Sequence, residues 1–67
     1  MTNGKQYVSE KIVSQITGLS CSTLQKHRFF RQGIPYIKVG KSVRYCLDDV
    51  YAYLEARRVT YHKQELL

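Results

Sequence analysis

Lys11, Lys26, Arg28, Arg31, Lys38, Lys41 and Arg44 all fall between Glu10 and Asp48, with no acidic residue among them. A merely soluble surface mixes the two signs of charge. A stretch of one sign this long suits an anionic partner, a phosphate backbone first. Inside it, Ser22, Gln25 and Lys26 are three and four residues apart, so on a helix they share a face. Gln can bridge N6 and N7 of adenine, and Lys can reach O6 and N7 of guanine. These three are the candidate base-reading residues. The plain alternative is a solvated polar face. A helix-turn-helix context favours base contact for Gln25 and Lys26, while Ser22 suits either.

A second set could hold phosphate. Lys41 and Ser42 fall at the tip of an expected hairpin, with Lys38 and Arg44 on its flanks. Hairpin tips are polar in any case, but no acid is near to balance these. Thr23 suits packing or a phosphate contact. Arg28 suits a phosphate contact too, but it lies at the core edge, where pairing with Asp48 or Asp49 is an equal reading. Arg31 is similar to Arg28. Phe29, on the face of Ser22 and Gln25, could meet a thymine methyl group, the hairpin or a neighbouring protomer.

Other chemistry finds little support. Cys21 and Cys46 match no zinc-ligand spacing with each other or with His27 and His62, so no metal or other cofactor is expected. Cys21 opens a helix, where a thiolate is favoured, yet reads as a reduced thiol rather than a redox sensor. Cys46 reads as core filler, and His27 as a satisfied, half-buried core-side residue. Glu10 is the only acid before Asp48, and no nucleophile–base pair is suggested, so there is no catalytic residue and an enzyme is not expected. The six tyrosines raise a tyrosine recombinase, but that chemistry needs arginines and a histidine gathered on a larger domain. No apolar run approaches a membrane span. Residues 1–10 carry no signal-peptide core, so a cytoplasmic protein with no membrane partner is expected.

The 67 residues carry a net charge of +6 and make one thin-cored domain. The first six should be loose. Ser9 is placed to cap a first helix on which Ile12, Val13, Ile16 and Leu19 fall at helical spacing, with Val8 as a staple and Glu10 at the positive end of the dipole. Gly18 should end that helix in a left-handed turn. Gly18-Leu19-Ser20 then leads directly into a second helix from Cys21 to about Phe30, capped by Ser20 and burying Leu24 and His27. So short a link, with an apolar residue at its middle, is what a DNA-binding helix-turn-helix requires. Gly33 and Pro35 end the second helix. Residues 36–39 and 43–46 alternate around Gly40-Lys41-Ser42 and predict a two-stranded hairpin, with Ile37, Val39, Val43 and Tyr45 reaching the core and Lys38 and Arg44 pointing elsewhere. A third helix over residues 47–58 has Asp48 and Asp49 in its first turn, Arg57 and Arg58 in its last, and Val50, Tyr53 and Leu54 inward. Residues 59–67 are expected to extend that helix or fray. Tyr61, Leu66 and Leu67 are candidates for a contact with a neighbouring protomer or a recombinase.

In this order the elements resemble the excisionase-like branch of the MerR-type winged-helix proteins, and most of all the AlpA-type prophage regulators. The likeness spans residues 7–58. It is carried by Ser9 before the first helix, Gly18-Leu19-Ser20, Ser22-Thr23-Leu24, Gly33, Pro35-Tyr36-Ile37-Lys38-Val39-Gly40, Val43-Arg44-Tyr45, and Asp49-Val50 with Tyr53 beyond. The family often has Trp at the position of His27, Gly at that of Arg31 and Pro at that of Ile34. The resemblance implies a small DNA-binding protein of a mobile element, whose second helix enters the major groove while the hairpin wing lies along the backbone or an adjacent minor groove. Such proteins direct a site-specific recombinase toward excision, regulate the recombinase gene, or both.

The expectation is therefore an α+β fold, a minimal winged helix-turn-helix of order α-turn-α-β-β-α with a two-stranded antiparallel wing, binding duplex DNA. An excisionase role with an integrase as partner comes first, and a transcriptional regulator of a prophage or integrative element second. A basic adaptor for an acidic protein is the reading from another class. No small-molecule effector is expected. Because one short module discriminates sites weakly, cooperative self-association on adjacent sites is expected to supply specificity.

Overall fold

The computed structural model describes residues 4–60. Its first element was not foreseen. Tyr7–Val8 forms a short strand, β1. It is followed by helices α1 (Glu10–Thr17) and α2 (Cys21–Phe29), strands β2 (Ile37–Val39) and β3 (Ser42–Cys46), and helix α3 (Leu47–Ala56). β1 pairs antiparallel with β3, placing Tyr7 opposite Cys46 and Val8 opposite Tyr45. The expected two-stranded wing is thus part of a three-stranded antiparallel sheet in the order β1-β3-β2. Two residues carry no readable alternation, and their partner lies far along the chain. Gly4 to Gln6 have no regular structure, but the Gln6 carbonyl accepts the Leu47 N–H at 2.9 Å. Tyr61, Leu66 and Leu67, the candidate tail contacts, lie outside the described residues.

The helix ends follow the sequence in part. Ser9 occupies the N-cap of α1, but its hydroxyl makes no capping bond; its carbonyl accepts from Val13 N at 3.1 Å instead. Gly18 ends α1 at φ 80°, in the left-handed region expected of it. Thr17 braces the turn: its hydroxyl donates to the Val13 carbonyl at 2.8 Å and accepts from Leu19 N at 3.1 Å. Ser20 caps α2 as predicted, accepting from Thr23 N at 3.0 Å. α3 stops at Ala56, short of the expected Arg58, with its last N–H groups tightening onto Leu54 and Glu55.

α2 ends in a Schellman turn. Gln32 N–H reaches the His27 carbonyl at 2.8 Å and Arg31 N–H reaches that of Arg28 at 3.1 Å. The left-handed position of this motif falls on Arg31, at φ 56°. No other non-glycine residue described has a positive φ.

The core is Val13, Leu24, Ile34, Tyr45 and Val50, with Val8, Ile16, Leu19, Val43 and Tyr53 packed around it. α1 lies at its centre, in contact with α2, β3 and α3. Ile12 is exposed, at the margin of the apolar stripe its spacing suggested. Ile37 and Val39, expected in the core, are 46% and 60% exposed. The cause is the register. Val39 pairs with Ser42, so the loop is Gly40-Lys41 alone, and Lys38 falls opposite Val43 and Ile37 opposite Arg44. A three-residue loop would have put Val39 opposite Val43 and turned both apolar residues inward. One residue of slip reverses every side chain of a strand. Gly40, at φ 62°, supplies the positive φ that a two-residue loop takes at its first position.

Candidate nucleic-acid interface

α2 buries Leu24 on α1 and leaves its other side to solvent. Ser22, Gln25 and Lys26 are all exposed there, grouped on one face as their spacing required. Thr23 is half-buried, and its hydroxyl is hydrogen-bonded to Ser20 at 3.0 Å within the helix cap. Phe29 continues the outer face at 79% exposure, its ring edge-on to that of Phe30 at 5.0 Å. At that exposure most of its ring is open to solvent.

Behind this face lies a network that sequence reasoning missed. Gln25 Nε2 donates to Glu10 Oε2 at 2.9 Å. Arg28 Nη1 donates to Glu10 Oε1 at 2.8 Å and to the Tyr45 hydroxyl at 2.7 Å. Arg28 therefore pairs with Glu10, not with Asp48 or Asp49. The N-terminus of α1 stands beside α2, whereas the two aspartates begin α3. The Arg28 guanidinium also lies 5.7 Å from the centre of the Tyr36 ring. Burial pushes the Glu10 carboxyl up, but hydrogen bonds from Gln25 and Arg28, with the Arg28 charge, outweigh it and hold the group below its ordinary value. One signal could have found this: a lone acid in a long basic stretch must meet one of those bases when the chain folds.

Along the hairpin the register divides the expected grips. Lys38 shares a face with Val43 and Tyr45, whereas Arg44 shares the opposite face with Ile37. Arg44 is half-buried and donates to the Val43 carbonyl at 2.8 Å. Lys41 and Ser42 stand exposed at the tip. Among the described residues the ion pairs are Arg28–Glu10 and Arg58–Glu55. Lys11, Lys26, Arg31, Lys38, Lys41 and Arg44 thus meet no carboxylate among those residues.

Cys21 is half-buried and Cys46 buried, both as free thiols. Among the described residues no three His, Cys, Asp or Glu side chains gather as a metal site would need, and no helix is long and apolar enough to cross a membrane. His27 is half-buried as expected but not satisfied: its Nδ1 is buried without a hydrogen-bond partner, packed under Gly33. Comparison of the chain with protein-family models, with curated proteins and with solved structures finds no match to any of them.

Proposed function

We propose that this protein binds duplex DNA, with α2 in the major groove and the β2–β3 hairpin acting as a wing along the backbone. The observation that carries the reading is the unpaired charge. Six cations of the stretch from Lys11 to Arg44 have no carboxylate partner among the described residues, while the one acid nearby is committed to Arg28. Cations left without partners over a helix-turn-helix are free to replace the counterions of a phosphate backbone. The exposed Ser22, Gln25 and Lys26 supply polar groups of the kind that read base edges.

Within that reading we assign an excisionase role: binding near an attachment site of a mobile element and directing a recombinase toward excision. The order of elements and motifs over residues 7–58 supports this, and regulation of the element's genes uses the same DNA contacts. The test is a salt titration of duplex binding. Contact with about five to seven phosphates predicts that log K falls against log salt with a slope of roughly −4.5 to −6. Lys41→Ala should weaken selected and random duplexes alike, whereas Lys26→Ala should mainly lower the preference between them. A slope near zero removes the DNA reading, and strong salt-sensitive binding to an acidic protein in its place favours the adaptor. Protection of an attachment site together with stimulated excision separates the excisionase from a simple repressor.

A further inference from the structure

We propose that Glu10 is a positioning residue for base reading: it holds the Gln25 amide in one orientation and ties that orientation to the core through Arg28 and Tyr45. The inference rests on the DNA-binding reading above, and it gives a specificity role to a residue outside the reading helix.

An exposed glutamine ordinarily samples many rotamers, and a base contact that needs one of them must first suppress the rest. Gln25 is exposed yet held. Its Nε2 lies 2.9 Å from Glu10 Oε2. The second oxygen of the same carboxylate takes Arg28 Nη1 at 2.8 Å, and that nitrogen also donates to the Tyr45 hydroxyl at 2.7 Å. Tyr45 is 1% exposed and cannot move without disturbing the core. A continuous line of hydrogen bonds thus runs from a fixed buried ring to the outer face of α2. The contact leaves the reading chemistry intact. A glutamine amide has two N–H donors and a carbonyl acceptor, and Glu10 uses one donor. The other N–H and the carbonyl remain, the pair that adenine N7 and N6 require. Without such a role a carboxylate is poorly placed beside a phosphate-binding face, where it repels the ligand.

The experiment begins by selecting duplexes from a randomised library with the wild-type protein. Affinities for the selected duplex, its single-base-pair variants and random duplex are then measured for wild type, Glu10→Gln, Gln25→Ala and the double variant. All titrations run below the lowest melting midpoint of the four. Glu10→Gln keeps the shape but leaves one carbonyl oxygen, which the charged and better anchored Arg28 retains; the new N–H groups face Gln25, so its amide can no longer donate there and loses the orientation that Glu10 imposed. Preference at the base pair sensitive to Gln25→Ala should fall about tenfold in Glu10→Gln. Affinity for random duplex should rise as the negative charge is lost. In the Gln25→Ala background, Glu10→Gln should leave preference nearly unchanged. The proposal is overturned if Glu10→Gln retains a preference that Gln25→Ala loses, or if Gln25→Ala loses none. An equal fall on selected and random duplex that tracks a lower melting midpoint also overturns it, by making Glu10 structural only. If the wild type enriches no sequence, sequence-specific reading itself fails, a result distinct from all of these and known before any variant is made.

Discussion

Arg31→Gly should stabilise the fold and weaken the grip on DNA at once. Arg31 fills the left-handed position of the turn that ends α2, at φ 56°. A residue with a Cβ loses roughly 1–2 kcal/mol in that conformation. Glycine avoids the loss, but its more flexible unfolded chain returns about 0.4–1 kcal/mol of it. The net gain is about 0.5–1 kcal/mol, which in a domain of this size raises the melting midpoint by about 2–8 °C. Nothing offsets the gain, because the Arg31 side chain is exposed and in no ion pair with a described residue. If the side chain meets a phosphate, the salt slope of DNA binding should shrink by about 0.9. Arg31→Ala is the control, since it removes the charge and keeps the Cβ. It should reproduce the change in slope without the rise in midpoint. The measurements are thermal melts and duplex titrations on the three proteins. A glycine variant melting no higher than the alanine variant would refute the backbone argument.

Gly33→Ala should cost about 2 kcal/mol or more in urea unfolding. Its φ is 87° and the new methyl would stand 2.7 Å from His27 Nδ1 and 2.9 Å from His27 Cβ, so His27→Ala, which keeps that Cβ, should restore only the share due to the ring. Glu10, held below its ordinary value of 4.5, contributes stability that is complete above that pH and is lost as pH falls through the depressed folded value. Melting midpoints of wild type and Glu10→Gln should therefore converge on acidification, and parallel curves would count against the network. Tyr45→Phe removes one acceptor from Arg28 and should lower stability by about 1 kcal/mol, read as a lower urea midpoint with an unchanged slope.

The helices were legible because their signals are local. Ser20, Gly18 and the spacing of Val13, Ile16 and Leu19 each act within a turn or two of the chain, and so does the grouping of Ser22, Gln25 and Lys26. What escaped was set by contacts remote in sequence or by a single residue of register. The choice between a two- and a three-residue hairpin loop rested on Ser42, which serves either as loop or as strand. That choice moved Ile37 and Val39 to the outside and sent Lys38 and Arg44 to opposite faces. β1 has no pattern of its own and exists because β3 offers it an edge. The partner of Arg28 is not legible because Glu10, remote in sequence, shows along the chain only its value to its own helix. At Arg31 no local signal marks the left-handed position: the turn that ends α2 imposes it on an arginine.

The pairing of β1 with β3 also bears on synthesis. Tyr7 and Val8 leave the ribosome early, but their partners Cys46 and Tyr45 follow about forty residues later, so the sheet closes only after most of the domain is made. α1 and α2, joined by a three-residue turn, can meet well before that. Until β3 arrives, Val13 and Leu24 have only Val8, Ile16, Leu19 and Ile34 of the core beside them, and Arg28 and Glu10 can pair ahead of the tyrosine that later anchors them. The contact of α1 with α2 thus needs only neighbouring chain, whereas the sheet beside them draws one strand from before α1 and the others from after α2.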